Sequence, residues 1–515
     1  MSLDNKPEFN SANVLDQSVQ IGDDQTSSVT LVEKQTRTRR LFSTTQLFAL
    51  NIVYLGTWYN TANNMYFALA NGGPATWFFS YLIVAIGSLL QAASLAEMAS
   101  IQPIAGAQYY WTYHFAPKSM KLFLTWAQGW TTWFAYIALL ASGFNGATVL
   151  FEGAIHVTHP NYVAGGWRTT VVILATLVFC AAVNMYGFRL VPWFELLNGV
   201  LNVCLFVICF VVLWAKSSRN SVDVFLITNI SSGWDNYFIS AHLGALSNIF
   251  LFIGFEASIH MGEETLNPRR AAPRAMFWSL AMNCSLGLIM IITFGICMPS
   301  LETLLNSSSP LVTILVTSAG PQAATAILCC MVLMGISSNV ALVSSVSRLT
   351  WAWARDGGLP RYFGYVDGKH QVPMRAVILT CSIATALSLF NLGSATYVAL
   401  GAIVSISSMA MYLSYCIVLC CILHARSTTG IKLGEWNLGR AGPTINILAL
   451  IYTVWVMVFL PFPNNLPVTA SNMNYCGPVF GTVLGGTVVL WFVRAKRHWK
   501  GPNQAIVEYV LRDEP

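Results

Sequence analysis

The side chains able to do chemistry in this chain are few and unusually placed. Glu256 stands in the run AHLGALSNIFLFIGFEASIHMGEET, two residues after Gly254 and two before Ser258, in the middle of an otherwise apolar stretch. A charge at such a depth in a bilayer costs about 2.5–3.5 kcal/mol on insertion scales. Binding a cation or a proton would compensate for that cost; pairing with a neighbouring helix purely for packing is the plainer alternative. A second polar cluster interrupts LNIVYLGTWYNTANNMYFALANGGP, where Gly56, Thr57, Asn60, Thr61, Asn63 and Asn64 gather. Irregular backbone and polar side chains survive at that depth only against protein or a water-filled cavity, so the segment from Gly56 to Thr61 is predicted to be non-helical and to line one. In TWAQGWTTWF, Trp126, Trp130 and Trp133 recur on one helical face beside Gln128. Such a face can hold an ammonium group by cation–π attraction, or it can simply pack. Ser337, Ser338 and Asn339, and farther on Ser405, Ser407 and Ser408, suit a cavity wall and helix-to-helix hydrogen bonding equally well.

Other chemistries lack their residues. The sequence holds no HExxH, no GxxxxGK[ST] and no paired acid–base motif in a soluble domain, so no enzyme, metal site or cofactor is expected, and a nucleotide-driven pump lacks its site. Nor does a repeated pore loop or a ring-forming charged segment suggest a channel.

The elements that must position these groups are membrane helices. With 55% apolar and only 9% charged residues in a 515-residue chain, the composition is far from a soluble domain, where charged residues run near about 25%. At roughly 20 apolar residues per crossing, the pattern gives an all-α polytopic protein with spans near 46–70, 76–97, 123–150, 169–190, 193–214, 241–262, 276–298, 321–347, 376–391, 397–423, 444–462 and 476–493. Residues 1–40 are polar, carry no signal-peptide h-region and are expected to be a disordered cytosolic tail; 41–495 form the transmembrane domain, and 496–515 resemble the N-terminal tail in character. Most of the twelve cysteines fall in or at the ends of spans, so no disulfide framework is predicted.

Orientation follows from the basic residues. With both termini cytosolic, 24 of the 27 Lys and Arg residues fall on the inner side, leaving Arg168, Lys216 and Arg219 outside. The net charge of +6 is therefore a topological signal, with no nucleic-acid partner implied. Two N-x-[ST] sequons, Asn229 and Asn306, lie in predicted outer loops and are candidate glycosylation sites; a third, Asn283, is inside a span. Glu97, Glu263, Glu264, Arg269, Arg270, Arg274, Arg348, Arg355 and Asp356 stand at inner helix ends, where topology and gating contacts explain them better than substrate chemistry. The interrupted first and sixth spans occupy corresponding places if the first ten spans form two five-helix halves of opposite topology.

Four stretches carry a family likeness: the NGGP turn at 71–74 followed by SLAEMASIQPIAGAQYYW at 94–111, GFEASIHMGEETLNPRRAAPRA at 254–275, SRLTWAWARDGGLP at 347–360, and VPMRA at 372–376. From about residue 40 to 495 the chain resembles the amino acid, polyamine and organocation (APC) superfamily, within it the fungal amino acid/choline/GABA permease group. That resemblance implies a LeuT-like fold, ten core helices in two inverted repeats plus two accessory helices, with substrate between the broken first and sixth helices. It points to Gly56, Thr57, Trp58 and Asn60 and to Gly254, Phe255 and Glu256 as substrate-binding positions, with helices 3, 8 and 10 contributing further ones, for which Trp130, Ser338 and Asn339 are the candidates. The G-S/T-G signature that cradles an α-carboxylate in many amino acid permeases is replaced here by GTWYN, which keeps choline-like and amine substrates open. The expected function is a secondary active transporter of amino acids or related small amines in the plasma membrane, taking up its solute with a co-transported proton. A choline, GABA or pathway-metabolite carrier, including an exporter, and a transporter-like nutrient sensor are the alternatives.

Overall fold

The computed structural model describes residues 40–512 except 308, 394–395 and 470–471. The expected N-terminal tail thus lies outside the described residues. Among the described residues, eleven helices are long and apolar enough to cross a membrane. A twelfth crossing, α1, is broken into three pieces and so falls short by length: α1a Thr44–Leu55, α1b Thr57–Asn63 and α1c Met65–Ala70. The others are α2 Gly73–Ile101, α3 Lys121–Thr158, α4 Gly166–Tyr186, α5 Val191–Lys216, α6 Tyr237–Ile249 with its continuation in 3₁₀ turns, α7 Pro268–Cys297, α8 Pro321–Arg355, α9 Met374–Ser388, α10 Thr396–Thr428, α11 Gly442–Phe459 and α12 Cys476–Leu490. The twelve crossings agree with the sequence pattern, and no extended strand occurs among the described residues. The hydropathy reading cuts α3 and α8 short, because both run on in polar residues past the apolar stretch that marks the bilayer.

The breaks have local causes. At Gly56 the backbone is left-handed, φ 49°, ψ 37°, a conformation glycine adopts without the Cβ penalty, and a Cβ there would also collide with the Tyr59 hydroxyl. Here the structure corrects the sequence reading: within Gly56–Thr61 the irregularity is confined to Gly56, Thr57–Asn63 resumes as helix, and a second break follows at Asn64. In α6 the helix ends at Ile249, passes through a 3₁₀ turn at Phe250–Phe252, extends at Ile253, turns left-handed at Gly254 (φ 75°) and continues as 3₁₀ over Ala257–Glu264.

Helices five apart pack against one another, α2 on α7, α3 on α8 and α4 on α9. The long α3 runs along both α8 and α10, and α1a lies between α5 and α7. Both ends of the described chain meet on one face, where the Arg40 guanidinium donates to the Val510 carbonyl at 3.5 Å. We call this the terminal face.

Of the last twenty residues, expected to resemble the polar N-terminal tail, the described ones, 496–512, build part of that face. Helix Gln504–Arg512 buries Ile506, Val507 and Val510, a spacing that puts the three on one side of a helix. Upstream of it, Trp499 donates its indole N–H to the Asp356 carbonyl at 2.7 Å, and its ring lies 5.4 Å from Trp126 and 5.9 Å from Trp353. Asp356, just past the end of α8, also accepts from the Tyr109 hydroxyl at 2.7 Å and the Asn503 backbone N–H at 3.3 Å. Burial pushes its carboxyl above the usual aspartate range, while the adjacent Arg355 guanidinium pulls it back. Trp499→Ala removes both the stacking and the hydrogen bond, so we expect a loss of about 3 kcal/mol, read as a lower melting temperature of the purified protein. Val493→Ala, at a position that is 73% exposed, should leave that temperature unchanged; equal melting of the two variants would show that the C-terminal segment adds nothing.

Candidate functional site

Between the two breaks lies a cavity of about 80 Å³. Its walls come from four helices: Tyr54, Leu55, Tyr59 and Asn60 of α1, Leu139 to Leu150 along one face of α3, Phe250, Leu251 and Ile253 of α6, and Gly335, Ser338 and Leu342 of α8. The space exists because α3 and α8 present glycines to it. A Cβ at Gly146 would meet nothing within 4 Å, and one at Gly143 would approach Asn339 Oδ1 at 2.8 Å and Leu342 at 2.9 Å. No Asp, Glu, Lys or Arg stands in the wall.

The polar groups of the wall mostly serve the breaks. Asn60 Nδ2 donates to the Leu55 carbonyl at 3.4 Å, across the Gly56 hinge. The Ser338 hydroxyl donates to the Tyr54 carbonyl at 3.1 Å, tying α8 to the last turn of α1a. By contrast the Tyr54 hydroxyl is buried with no hydrogen-bond partner among the described residues, close to where a Cβ on Gly254 would sit. A buried hydroxyl left unpaired costs about 1–3 kcal/mol, so it is a group for which a bound solute or water would supply the missing partner.

Other residues singled out in the sequence lie around the cavity, outside its wall. The Thr57 backbone N–H goes to Asn283 Oδ1 on α7 at 3.2 Å and its hydroxyl to the Leu251 carbonyl at 3.2 Å, so Thr57 fastens one break to the other. Trp58 is fully buried and donates to Asn202 Oδ1 on α5 at 3.0 Å. Asn339 bridges α8 to the Gly143 carbonyl of α3 at 3.3 Å. Phe255 is buried with its ring 5.7 Å from Tyr415, whose hydroxyl accepts from the Gly254 N–H at 3.3 Å. Trp130 sits with Trp126, Trp133 and Trp353 in an aromatic cluster on the terminal side, and among the described residues no cation lies over these rings.

Glu256 occupies a layer just beyond the cavity. It is fully buried, with Gln108 Nε2 donating to one oxygen at 2.9 Å and the Tyr415 hydroxyl to the other at 2.6 Å. Both oxygens thus have a donor, which offsets part of the cost of burying a carboxylate.

From Glu256 to the terminal face the protein is sealed. Glu263 receives two hydrogen bonds from Arg355 (2.8 and 3.0 Å), and Glu264 pairs with Arg348 at 3.1 Å, all four side chains being buried. These are the pairings that the positions of Glu263, Glu264, Arg348 and Arg355 at helix ends suggest. Asn51 of α1a donates to Ser258 at 2.9 Å, Ser345 of α8 to the Ala257 carbonyl at 3.0 Å, and the backbone N–H groups of Leu41 and Phe42 both donate to the Glu264 carbonyl. Toward the opposite face a vestibule of about 320 Å³ lies between α1c, α10, the short helices Leu301–Leu305 and Pro310–Ala319, and the 464–474 segment. On that face Asn306 is exposed, whereas the Asn229 amide donates to the Leu69 carbonyl at 3.2 Å and helps to hold the end of α1c.

Sequence reasoning missed Tyr54, Tyr59, Ser142 and the Gly143–Ala147 stretch. The signal was there in ASGFNGA, a run of small residues in a membrane helix. Small residues advertise space only once the facing helix is known, whereas the tryptophans two turns earlier draw the eye.

The amino acid permease family matches residues 41–484. Among similar proteins, an uncharacterized amino-acid permease of Schizosaccharomyces pombe is 27% identical over 90% of this chain and 87% of its own length. The choline transporter of Saccharomyces cerevisiae is 26% identical over 90% and 82%, and amino-acid permease 2 of Neurospora crassa 26% over 90% and 86%. With a cavity between two broken helices and a family match over most of its length, this chain belongs to the amino acid permease family, a multi-pass membrane transporter of amino acids or related compounds.

Proposed function

We propose that the chain takes up a small amine-bearing solute from the opposite face through the vestibule, holds it in the cavity at Gly56 and Gly254, and draws on a proton gradient to concentrate it. One observation carries this reading: the cavity is shut toward the terminal face by buried ion pairs while a vestibule lies on the other side. The terminal face is then the cytosolic one, in keeping with its excess of Lys and Arg, and the plasma membrane is the site of action. Direct contact with the solute falls to Asn60 and Ser338, with Tyr54, Tyr59 and Ser142; Gly56 and Gly254 are the hinges, and Thr57, Trp58, Phe255, Asn339 and Trp130 hold the frame. Glu256 supplies negative potential to a cationic head group without touching it.

The relatives leave two solute classes, amino acids and choline. A choline-like solute is favoured by one feature: the wall offers the rings of Tyr54 and Tyr59 and no basic side chain to receive a carboxylate. Uptake of a radiolabelled panel of amino acids and choline into permease-deficient yeast expressing the chain decides between them, and no uptake of any member would refute the transporter reading for these classes.

Three outcomes follow. Ser338→Ala removes a hydroxyl from the cavity wall, and at about 1–1.5 kcal/mol per hydrogen bond the Michaelis constant should rise about tenfold with normal delivery to the membrane; an unchanged constant would take Ser338 out of the site. Glu256→Gln keeps the size but loses the charge, so affinity for the solute should fall while solute that does bind is still driven by the gradient; unchanged affinity would make Glu256 a packing residue. For topology, a cysteine at Asn306 should react with an impermeant maleimide in intact cells and one at Lys369 should not, both positions being exposed. The reverse pattern would overturn the orientation.

A further inference from the structure

The membrane-crossing helices contain Glu97, Glu152, Glu195, Glu256, Glu263 and Glu264. Five of these have evident partners. Glu97 pairs with Arg426 and takes the Leu438 backbone N–H at 3.0 Å, Glu263 and Glu264 meet arginines, Glu256 has a donor on each oxygen, and Glu152, although its Oε2 has no partner among the described residues, receives two hydroxyls on Oε1, Thr169 at 2.6 Å and Tyr162 at 3.2 Å. Glu195 on α5 differs. It is fully buried, its Oε2 receives only the Ser337 hydroxyl of α8 at 3.1 Å, and its Oε1 has no partner among the described residues.

The groups on the surrounding elements do not make good this lack. The titratable or charged side chains on the helices packed against α5 are Tyr54, Tyr59 and Tyr66 of α1, Cys284, Cys297 and the arginines that open α7, and Cys329, Cys330, Arg348 and Arg355 of α8. Arg189 lies in the turn before α5, and the Cys180 thiol of α4 donates at 3.8 Å to the carbonyl of Ile336, the residue before Ser337. Arg348 and Arg355 are committed to Glu264 and Glu263, and no basic side chain comes within 4.0 Å of Glu195 among the described residues. A buried carboxyl with one hydroxyl donor and no counter-charge is poorly equipped to stay ionised. A metal ion would need several oxygen ligands around it; a proton needs one.

We propose that Glu195 is the proton carrier of the transport cycle, a role that rests on the gradient-driven reading above and separates it from Glu256. Ser337, its partner, is the neighbour of Ser338, whose hydroxyl holds the Tyr54 carbonyl two residues before the Gly56 hinge. In the arrangement sealed toward the terminal face, the carboxyl keeps its O–H bond. When α1a and α8 part and water enters from that face, the O–H bond breaks, the proton passes to water, and the carboxylate gains the donors it lacked. The carboxylate returns unprotonated as that face closes, and a proton arriving from the opposite side, which is then open, re-forms the O–H bond, so each cycle moves one proton with the solute.

The test uses the full-length protein in liposomes, with radiolabelled choline or, where choline is not carried, the panel amino acid taken up fastest, and a trapped pH dye. At a gradient of about one pH unit, a one-proton coupling sustains about tenfold accumulation. Glu195→Gln should bind the probe within about twofold of wild type and exchange it across the membrane, yet accumulate it to a ratio of about one with no proton entry. Glu256→Gln should show the opposite loss, of affinity with coupling kept. Accumulation and proton entry by Glu195→Gln at wild-type levels, or collapse of its binding together with its coupling, would overturn the proposal. Should that variant fail to fold, Ser337→Ala keeps the test alive: the pH dependence of uptake should shift, and an unchanged profile counts against Glu195. A wild-type protein that accumulates the probe with no proton entry defeats the proton reading itself, and Glu195 with it, whereas proton entry in wild type and in Glu195→Gln alike defeats only the assignment.

Discussion

A backbone N–H or C=O in the middle of a bilayer has no water to turn to, and this constraint governs how α1 and α6 can be broken. Each interruption is tolerated because another helix supplies what the missing helical turn would have. The Thr57 N–H goes to Asn283 of α7, the Leu55 carbonyl to Asn60, the Tyr54 carbonyl to Ser338 of α8 and the Gly254 N–H to Tyr415 of α10. Those four bonds draw α1, α6, α7, α8 and α10 around one point, and the cavity is the space they leave. These polar residues are therefore not idle glue: they are the partners that allow a hinge to exist in lipid, and Asn60 and Ser338 also face the cavity.

Two buried carboxylates near that point are equipped differently. Glu256 has a donor for each oxygen and so resembles a fixed charge, whereas Glu195 has a single hydroxyl. Since a carboxylate in a low-dielectric site persists only where donors or counter-charge replace its hydration, donor count alone assigns the two groups different duties.

The sequence carried the number of crossings, the two broken helices and the charges at the inner helix ends, because each has a one-dimensional signature: apolar length, glycine among polar residues within an apolar run, and charge at a helix end. It misjudged the extent of the first break, since Thr57 to Asn63 hold helical geometry through contacts with α5, α6 and α7 that no local pattern records. It assigned α3 to the site through its tryptophans, while the wall uses Ser142 to Ala147 instead. The C-terminal helix was passed over although Ile506, Val507 and Val510 have the right spacing, because nine residues with one apolar side gain stability only from the surface they dock on.

The seal on the terminal face also constrains how it can open. Arg348 with Glu264 and Arg355 with Glu263 are buried pairs, and removing one partner from such a pair leaves a charge without hydration at a cost of about 3–5 kcal/mol. Separating them piecemeal is thus unfavourable unless water arrives as they part. Both glutamates lie on the 3₁₀ segment after Gly254 and both arginines on the last turns of α8, so one movement about Gly254 would expose the two pairs together. Leu41 and Phe42, hydrogen-bonded to the Glu264 carbonyl, would carry α1a with that segment, which places the Gly56 hinge on the same motion. The two glycines at the cavity and the two ion pairs beneath it therefore form one mechanical unit, in which the solute site cannot open toward the terminal face without hydrating the gate.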